Sequence, residues 1–299
     1  MYQGAFSPTV TLFDNTGEID YKANGAHIEN LIKGGVKGFL FLGSIGEFYN
    51  LNPGEKRTYI DFVVKKVAGR VPVLIGTAGT DIRQVIELSL YAEKAGADAV
   101  TIIQPYYMTL NETRAYEFYA QIARAVTINI FLYNFPDRTG FSLTPALVTR
   151  LAREFDHVVG IKDTVDSISH TRQIIEAVRP IRSDFVVFSG FDEYLVQNMM
   201  FKGNGVISGL TNVAPELFTS LTAAIDENDL ATIKKLSGKL SGLMALYAMT
   251  DSFISAIKVA VSIRLPGICT DLREPGCGLD KNMKQEIINY VENVMTRNS

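Results

Sequence analysis

The sequence predicts a (β/α)8 TIM barrel with a C-terminal helical extension, and three observations carry that prediction. Short apolar runs rich in β-branched and aromatic residues alternate with longer helical stretches as far as about residue 228. The runs are apolar almost throughout, as strands of a parallel sheet covered on both faces must be. Eight such units can be counted, after which residues 229–299 read as helical without strand signals. The expected division is therefore a barrel over 1–228 and a helical region over 229–299.

The elements follow in order. The first strand is read in "SPTVTLF" (7–13) and the second in "GFLFLGS" (38–44). Asn52-Pro53 with Glu55 three residues after the asparagine marks a helix start, and "EKRTYIDFVVKKVAG" continues it. "VPVLIGT" (71–77) is the third strand, and Asp81 with Gln84 opens the helix "DIRQVIELSLYAEKAGA". "AVTIIQP" (99–105) and "NIFLYNFP" (129–136) are strands four and five, and Thr144-Pro145 opens the next helix. "VVGIKDT" (158–164), "DFVVFSG" (184–190) and "GVISG" (205–209) complete the eight, followed by a helix start at Pro215-Glu216. Three helix ends, "KGGVKGF", "KAGADAV" and "KGNGVIS", share a glycine suited to a left-handed C-terminal residue. A doubly wound sheet is the rival fold, but the glycine fingerprint expected after its first strand is not found.

Composition narrows the function. With 299 residues, 47% of them hydrophobic, the chain can bury a large core. A net charge of -3 without Lys/Arg-rich runs speaks against nucleic acid and anionic membranes as partners. The start, "MYQGAFSPTV", lacks the basic and apolar regions of a signal peptide, and no apolar run approaches the ~20 residues that span a bilayer, so a cytoplasmic location is expected. Cys269 and Cys277 are too few for a disulfide framework and are read as ordinary thiols.

Barrel enzymes place their chemistry at the C-terminal ends of the strands. The residues expected there are Thr11, Ser44, Gly79, Tyr106, Tyr107, residues 133–138, Lys162, Asp163, residues 190–192 and residues 209–212. His27, His157 and His170 are read as lying away from the mouth, on the surface or as caps, and no carboxylate and histidine cluster suggests a metal. What remains is one lysine, three tyrosines and a serine. An amine in an apolar pocket loses hydration, which favours the neutral form that attacks a ketone to make a Schiff base. Lys162, closing an apolar strand, fits that use; the alternatives are a lysine that reaches solvent or pairs with Asp163. Tyr133, one strand away, is either its proton-transfer partner or a core aromatic.

Four ordered motifs, "GSIGEF" (43–48), "QPYY" (104–107), "YNFPDRTG" (133–140) and "GIKDT" (160–164), resemble the dihydrodipicolinate synthase and N-acetylneuraminate lyase family of pyruvate-dependent class I aldolases. The resemblance covers nearly the whole chain. It implies a (β/α)8 barrel with C-terminal helices, assembled as a homotetramer of two tight dimers, and a reaction between pyruvate and an aldehyde that requires no metal or organic cofactor. Lys162 then resembles the Schiff-base lysine and Tyr133 the general acid/base. Ser44 resembles the hydroxyl of the proton relay and, with the backbone N–H of Ile45, the holder of pyruvate's carboxylate. Tyr107 matches the tyrosine that completes the relay from a neighbouring subunit. Gly190 and Ile207 match positions lining the site through their backbones.

The aldehyde is contested by two features. Arg138 in "PDRTG" matches the arginine with which the synthase branch holds the carboxylate of aspartate semialdehyde. Ile45 stands where that branch has a second hydroxyl, and "GEF", "YNFP", "IKDTVDS" and "TDSFISAIK" are more similar to the bacterial 2-keto-3-deoxy sugar-acid aldolases. The expectation is a sugar-acid aldolase, with dihydrodipicolinate synthase, a hydratase or dehydratase using the same Schiff base, and a non-catalytic ligand-binding homologue as alternatives.

Overall fold

The computed structural model describes residues 2–296. Its strands close into one parallel barrel in chain order: β1 (Gly4–Pro8), β2 (Gly38–Phe41), β3 (Val73–Gly76), β4 (Ala99–Ile103), β5 (Asn129–Asn134), β6 (Val158–Asp163), β7 (Val186–Ser189) and β8 (Gly205–Ile207). β8 returns to β1 through the pairs Gly4–Gly205, Ala5–Val206 and Phe6–Ile207. The strands are joined by α1 (Tyr21–Lys33), α2 (Pro53–Val67), α3 (Ile82–Ala95), α4 (Glu112–Ala125), α5 (Pro136–Thr139), α6 (Pro145–Glu154), α7 (Ile168–Val178) and α8 (Leu195–Met200), and α9 (Pro215–Asp226) follows β8. Beyond it lie α10 (Leu230–Leu243), α11 (Phe253–Ser262) and α12 (Lys281–Thr296). No helix among the described residues is long and apolar enough to cross a membrane.

Local chemistry sets the helix starts as the sequence leads one to expect. Asn52 Oδ1 accepts the Glu55 N–H at 3.0 Å while the Glu55 carboxylate accepts the Asn52 N–H at 2.8 Å, a reciprocal cap. Asp81 and Thr144 cap α3 and α6 in the same way from one side.

The barrel interior is plugged by large apolar side chains. Phe6, Phe131 and Phe188 are fully buried there, with ring centroids 4.9 Å apart for Phe6–Phe188 and 6.1 Å for Phe131–Phe188. Each buried ring contributes about 1.5–3 kcal/mol. The Phe131 ring takes the space that any side chain at Gly160 would need, since a Cβ there would meet it at 2.5 Å. Above this filled interior, the cavity lined by Ser44, Tyr133, Lys162 and Gly190 lies at the C-terminal ends of the strands. The outer faces of the strands pack on the helices in a second apolar layer, and α11 is buried over 254–261, covered on all sides.

The structure corrects three readings. The first strand ends at Pro8, so Thr11 lies beyond it in the connection to α1, where its hydroxyl donates to the Gly46 carbonyl at 2.7 Å. Proline cannot donate to a ladder, which ends the strand at Pro8 paired with Leu40. In "KGNGVIS" the left-handed residues are Lys202 and Gly205, not Gly203. His27 is buried, with Nε2 2.9 Å from Asn212 Oδ1, and burial depresses its pKa to about 4, so it is a neutral core residue.

Candidate active site

The pairing of β5 with β6 builds the centre of the site. Tyr133 and Lys162 are register partners, as are Asn134 and Asp163 one residue on. Alternation along the strands sends the first pair into the barrel mouth and the second outward towards α7. The register between the two strands shifts at Ile130/Phe131, so β6 carries one extra residue there. Val158 and Ile161 pack in the outer layer while Val159 packs on the inner one, which fixes the phase that turns Lys162 inward.

Lys162 is 6% exposed, and its Nζ lies 4.3 Å from the centroid of the Tyr133 ring. Tyr133 is likewise buried, stacked on Phe135 at 5.9 Å, and its hydroxyl lies 3.4 Å from Ser44 Oγ. Lys162, Tyr133 and Ser44 therefore line one cavity of about 300 Å3 together. That volume suits a small metabolite. Ser44 begins the 3-10 turn Ser44–Gly46, so Ile45 lies beside it, and Ile45 and Ile207 line the same cavity.

The outward pair is fully satisfied. Asp163 accepts hydrogen bonds from Asn134 Nδ2 at 2.8 Å and Thr171 Oγ1 at 2.7 Å, and His170 Nδ1 lies 3.0 Å away. Asp163 is thus held between β5 and α7 and does not face the Lys162 amine. His170 lies at the top of α7 beside the end of β6, near the mouth rather than away from it as the sequence suggests. Burial works to lower its pKa, but the hydrogen bond and charge of Asp163 outweigh burial and raise it.

The cavity is also lined by residues that sequence reasoning did not single out as a group. Thr164, Asp192 and Tyr247 line it together with Asp137. Asp192 is buried; its carboxylate accepts the Leu210 N–H at 2.9 Å, the Tyr247 hydroxyl at 2.9 Å and the Ser208 hydroxyl. Burial pushes its pKa up. Gly190 is required here, because a Cβ at that position would lie 1.9 Å from Thr164 Oγ1, a buried hydroxyl without a hydrogen-bond partner among the described residues. "GIKDT" placed Thr164 in view in the sequence; Tyr247, 85 positions beyond Lys162, had no such signal.

Arg138 and Tyr107 lie elsewhere. They line an adjoining pocket with Tyr106 and Tyr49, which shares Ser44, Phe135 and Phe253 with the Lys162 cavity. The Arg138 guanidinium stands 5.8 Å over the Phe135 ring. Tyr107 is fully exposed, with φ +78°, and within a single chain it does not join Tyr133 and Lys162.

Against known proteins, a family model described as the Dihydrodipicolinate synthetase family matches residues 1–294. Two Escherichia coli K12 relatives carry provisional names. The 2-dehydro-3-deoxy-D-gluconate aldolase YagE is 37% identical over 287 residues, 96% of this chain and 95% of that protein. The 2-dehydro-3-deoxy-D-pentonate aldolase YjhH is 40% identical over 260 residues, 87% of this chain and 86% of that protein. A 4-hydroxy-tetrahydrodipicolinate synthase of Kosmotoga olearia is 36% identical over 252 residues, 84% of this chain and 85% of that protein. The crystal structure of YagE in complex with pyruvate superposes with a TM-score of 0.95 at 36% identity, covering 99% of this chain and all of the other. Dihydrodipicolinate synthase from Thermotoga maritima gives 0.91 at 29% identity, with 99% of each chain covered.

Proposed function

Because the chain belongs to the dihydrodipicolinate synthetase family of pyruvate-dependent class I aldolases and lyases, we propose that it joins pyruvate reversibly to a short, uncharged hydroxyaldehyde, as a 2-keto-3-deoxy sugar-acid aldolase. In this reading Lys162 Nζ attacks the ketone carbon of pyruvate to give a carbinolamine. Tyr133, in hydrogen-bond reach of Ser44, passes the proton that lets water leave, forming the iminium ion. The Ser44 hydroxyl and the Ile45 N–H hold the carboxylate, and Gly190 and Ile207 shape the wall beside it. Loss of a methyl proton then gives an enamine, which adds to the aldehyde carbon. The reverse sequence cleaves that carbon–carbon bond, and hydrolysis of the iminium frees the lysine.

One observation carries the choice of aldehyde. Besides Lys162 the lining combines apolar side chains such as Phe135, Phe191, Met244 and Phe253 with the polar residues Thr164, Asp137, Asp192 and Tyr247, and holds no second cation among the described residues. Such a wall pairs with the hydroxyls of a sugar-derived aldehyde and would repel a second carboxylate. Arg138, which a dicarboxylic product would need, faces the adjoining pocket. Tyr107, fully exposed on one chain, serves the relay of a neighbour in a homotetramer built from two tight dimers.

Two measurements test the proposal. Incubation with pyruvate and borohydride should add a reduced pyruvyl group at Lys162 and nowhere else, and Lys162→Ala should abolish it. A panel of pyruvate with glyceraldehyde, glycolaldehyde and aspartate semialdehyde, read by product mass, should favour the first two. Labelling at another lysine, or preferred condensation with aspartate semialdehyde, would defeat the respective part.

A further inference from the structure

The turn that carries Ser44 is held in a conformation its own residues disfavour. Leu42 and Glu47, which bracket it, both have left-handed backbones, with φ of +56° and +53°. Residues with side chains keep that conformation only where their surroundings over-determine it. Glu47 closes the turn Ser44–Gly46 and opens the next, Phe48–Asn50, so its placement decides how the two join.

What fixes Glu47 comes from the far end of the chain. Lys258 Nζ lies 2.5 Å from Glu47 Oε1, and neither side chain has any solvent exposure. The other carboxylate oxygen accepts the Arg273 backbone N–H at 3.1 Å and Asn50 Nδ2 at 3.4 Å. Lys258 also donates to the Asp271 carbonyl at 3.2 Å, and its ammonium stands 4.6 Å over the Phe13 ring. Within the buried run 254–261 of α11, Lys258 is the one charged residue.

A buried ion pair is a poor source of stability, because apolar side chains of similar volume commonly do as well. Its effect is positional: neither charge can move without leaving the other unpaired in the core. We infer that the Glu47–Lys258 pair is a positioning device through which the C-terminal helices set the turn of Ser44 and Ile45, and with it the end of the cavity that holds pyruvate's carboxylate. This rests on the proposed placement of the carboxylate at that turn. Neither residue lines the cavity, so their effect on substrate passes through the turn alone.

The test uses three full-length variants, Glu47→Gln, Lys258→Met and the double. Each single leaves a buried group without its partner, and circular dichroism melting shows whether it folds. The double leaves no charge behind and decides the matter where the singles do not fold. In every folded variant, the double included, KM for pyruvate should rise about tenfold while kcat at saturating pyruvate and KM for the aldehyde change less than about threefold. Borohydride trapping at Lys162 at low pyruvate should slow in proportion. A role in stability alone would lower the melting temperature and leave KM for pyruvate at its wild-type value, and that result in the double overturns the inference. A double variant that does not fold overturns it too, since the pair would then be holding the core rather than the turn. Wild-type protein that forms no adduct at Lys162 instead removes the pyruvate site on which the inference rests.

Discussion

Replacing Arg138 by alanine separates the two aldehyde classes, because the geometry assigns that guanidinium a different worth in each. The side chain is exposed and stands over the Phe135 ring at 5.8 Å, in the pocket adjoining the Lys162 cavity. An exposed cation–π contact of this kind is worth about 0.5–1 kcal/mol. If the second substrate is uncharged, Arg138→Ala removes that contact and at most an ordinary hydrogen bond of about 0.5–1.5 kcal/mol. The contact with Phe135 is made in the free enzyme as well, so only the hydrogen bond bears on substrate, and the expected loss in kcat/KM for glyceraldehyde or glycolaldehyde is about tenfold or less. If the substrate carries a carboxylate seated on Arg138, the variant strands that charge, at about 2–5 kcal/mol, which is a loss of about 30-fold or more. The assay is kcat/KM for each aldehyde at saturating pyruvate, with borohydride trapping at Lys162 as the control that pyruvate still binds. Efficient wild-type turnover of aspartate semialdehyde that Arg138→Ala abolishes would refute the reasoning and make the chain a dihydrodipicolinate synthase despite Ile45.

Ile45→Thr supplies the hydroxyl that the synthase branch has at this position and should improve aspartate semialdehyde turnover from a poor start, with little gain for glyceraldehyde; equal gains for both would show that Ile45 does not select the aldehyde. Gly160→Ala drives a Cβ to 2.5 Å from the Phe131 ring and 2.7 Å from the Val186 carbonyl, and overpacking of this kind should cost about 1–3 kcal/mol in urea unfolding; an unchanged midpoint would mean the barrel interior yields. Since the pKa of His170 is raised in the folded protein, its contribution to stability should be complete below the unfolded value and disappear as pH rises through the folded one; His170→Asn should flatten that part of the pH profile, and a wild-type profile without such a decline would remove the His170–Asp163 attraction from the account. Tyr107→Phe should leave the melting temperature unchanged and cut turnover by on the order of 100-fold. Mixed oligomers of Tyr107→Phe and Lys162→Ala should regain activity, each supplying what the other lacks; a fully active monomer would dispose of the shared site.

The fold was legible because its signals are local. Apolar strand runs, the Asn52–Glu55 cap and the proline helix starts at Pro145 and Pro215 each occupy a few consecutive residues, and each lies where the sequence places it. The first strand was misplaced because the apolar character of "SPTVTLF" continues past Pro8, where the backbone can no longer pair. The near half of the candidate site was legible for the same reason, since Ser44, Tyr133 and Lys162 all end apolar runs. The contributions from the C-terminal region were not: Tyr247, which lines the cavity, and Lys258, which pairs with Glu47 behind the Ser44 turn, lie on segments after the barrel whose sequence reads as ordinary helix, and only the packing of that region against the strand ends brings them to Asp192 and Glu47.

Lys162 itself marks the limit of pattern reading. Counting strict alternation along β6 from Val158, which faces the helices, would put Gly160 and Lys162 on that same outer face. The extra residue opposite Ile130/Phe131 reverses the count, so that Ile161 packs outward and Lys162 comes into register with Tyr133 at the mouth. Gly160 makes this possible, since at the bulge a side chain would collide with both Phe131 and the Val186 carbonyl. The glycine in "GIKDT" and the lysine two residues later are therefore one device: the first lets the strand slip by a residue over a filled barrel, and the slip turns the amine inward. Composition and period find the strand but not the slip, which is why the motif pointed to Lys162 where the period would have sent it to the helices.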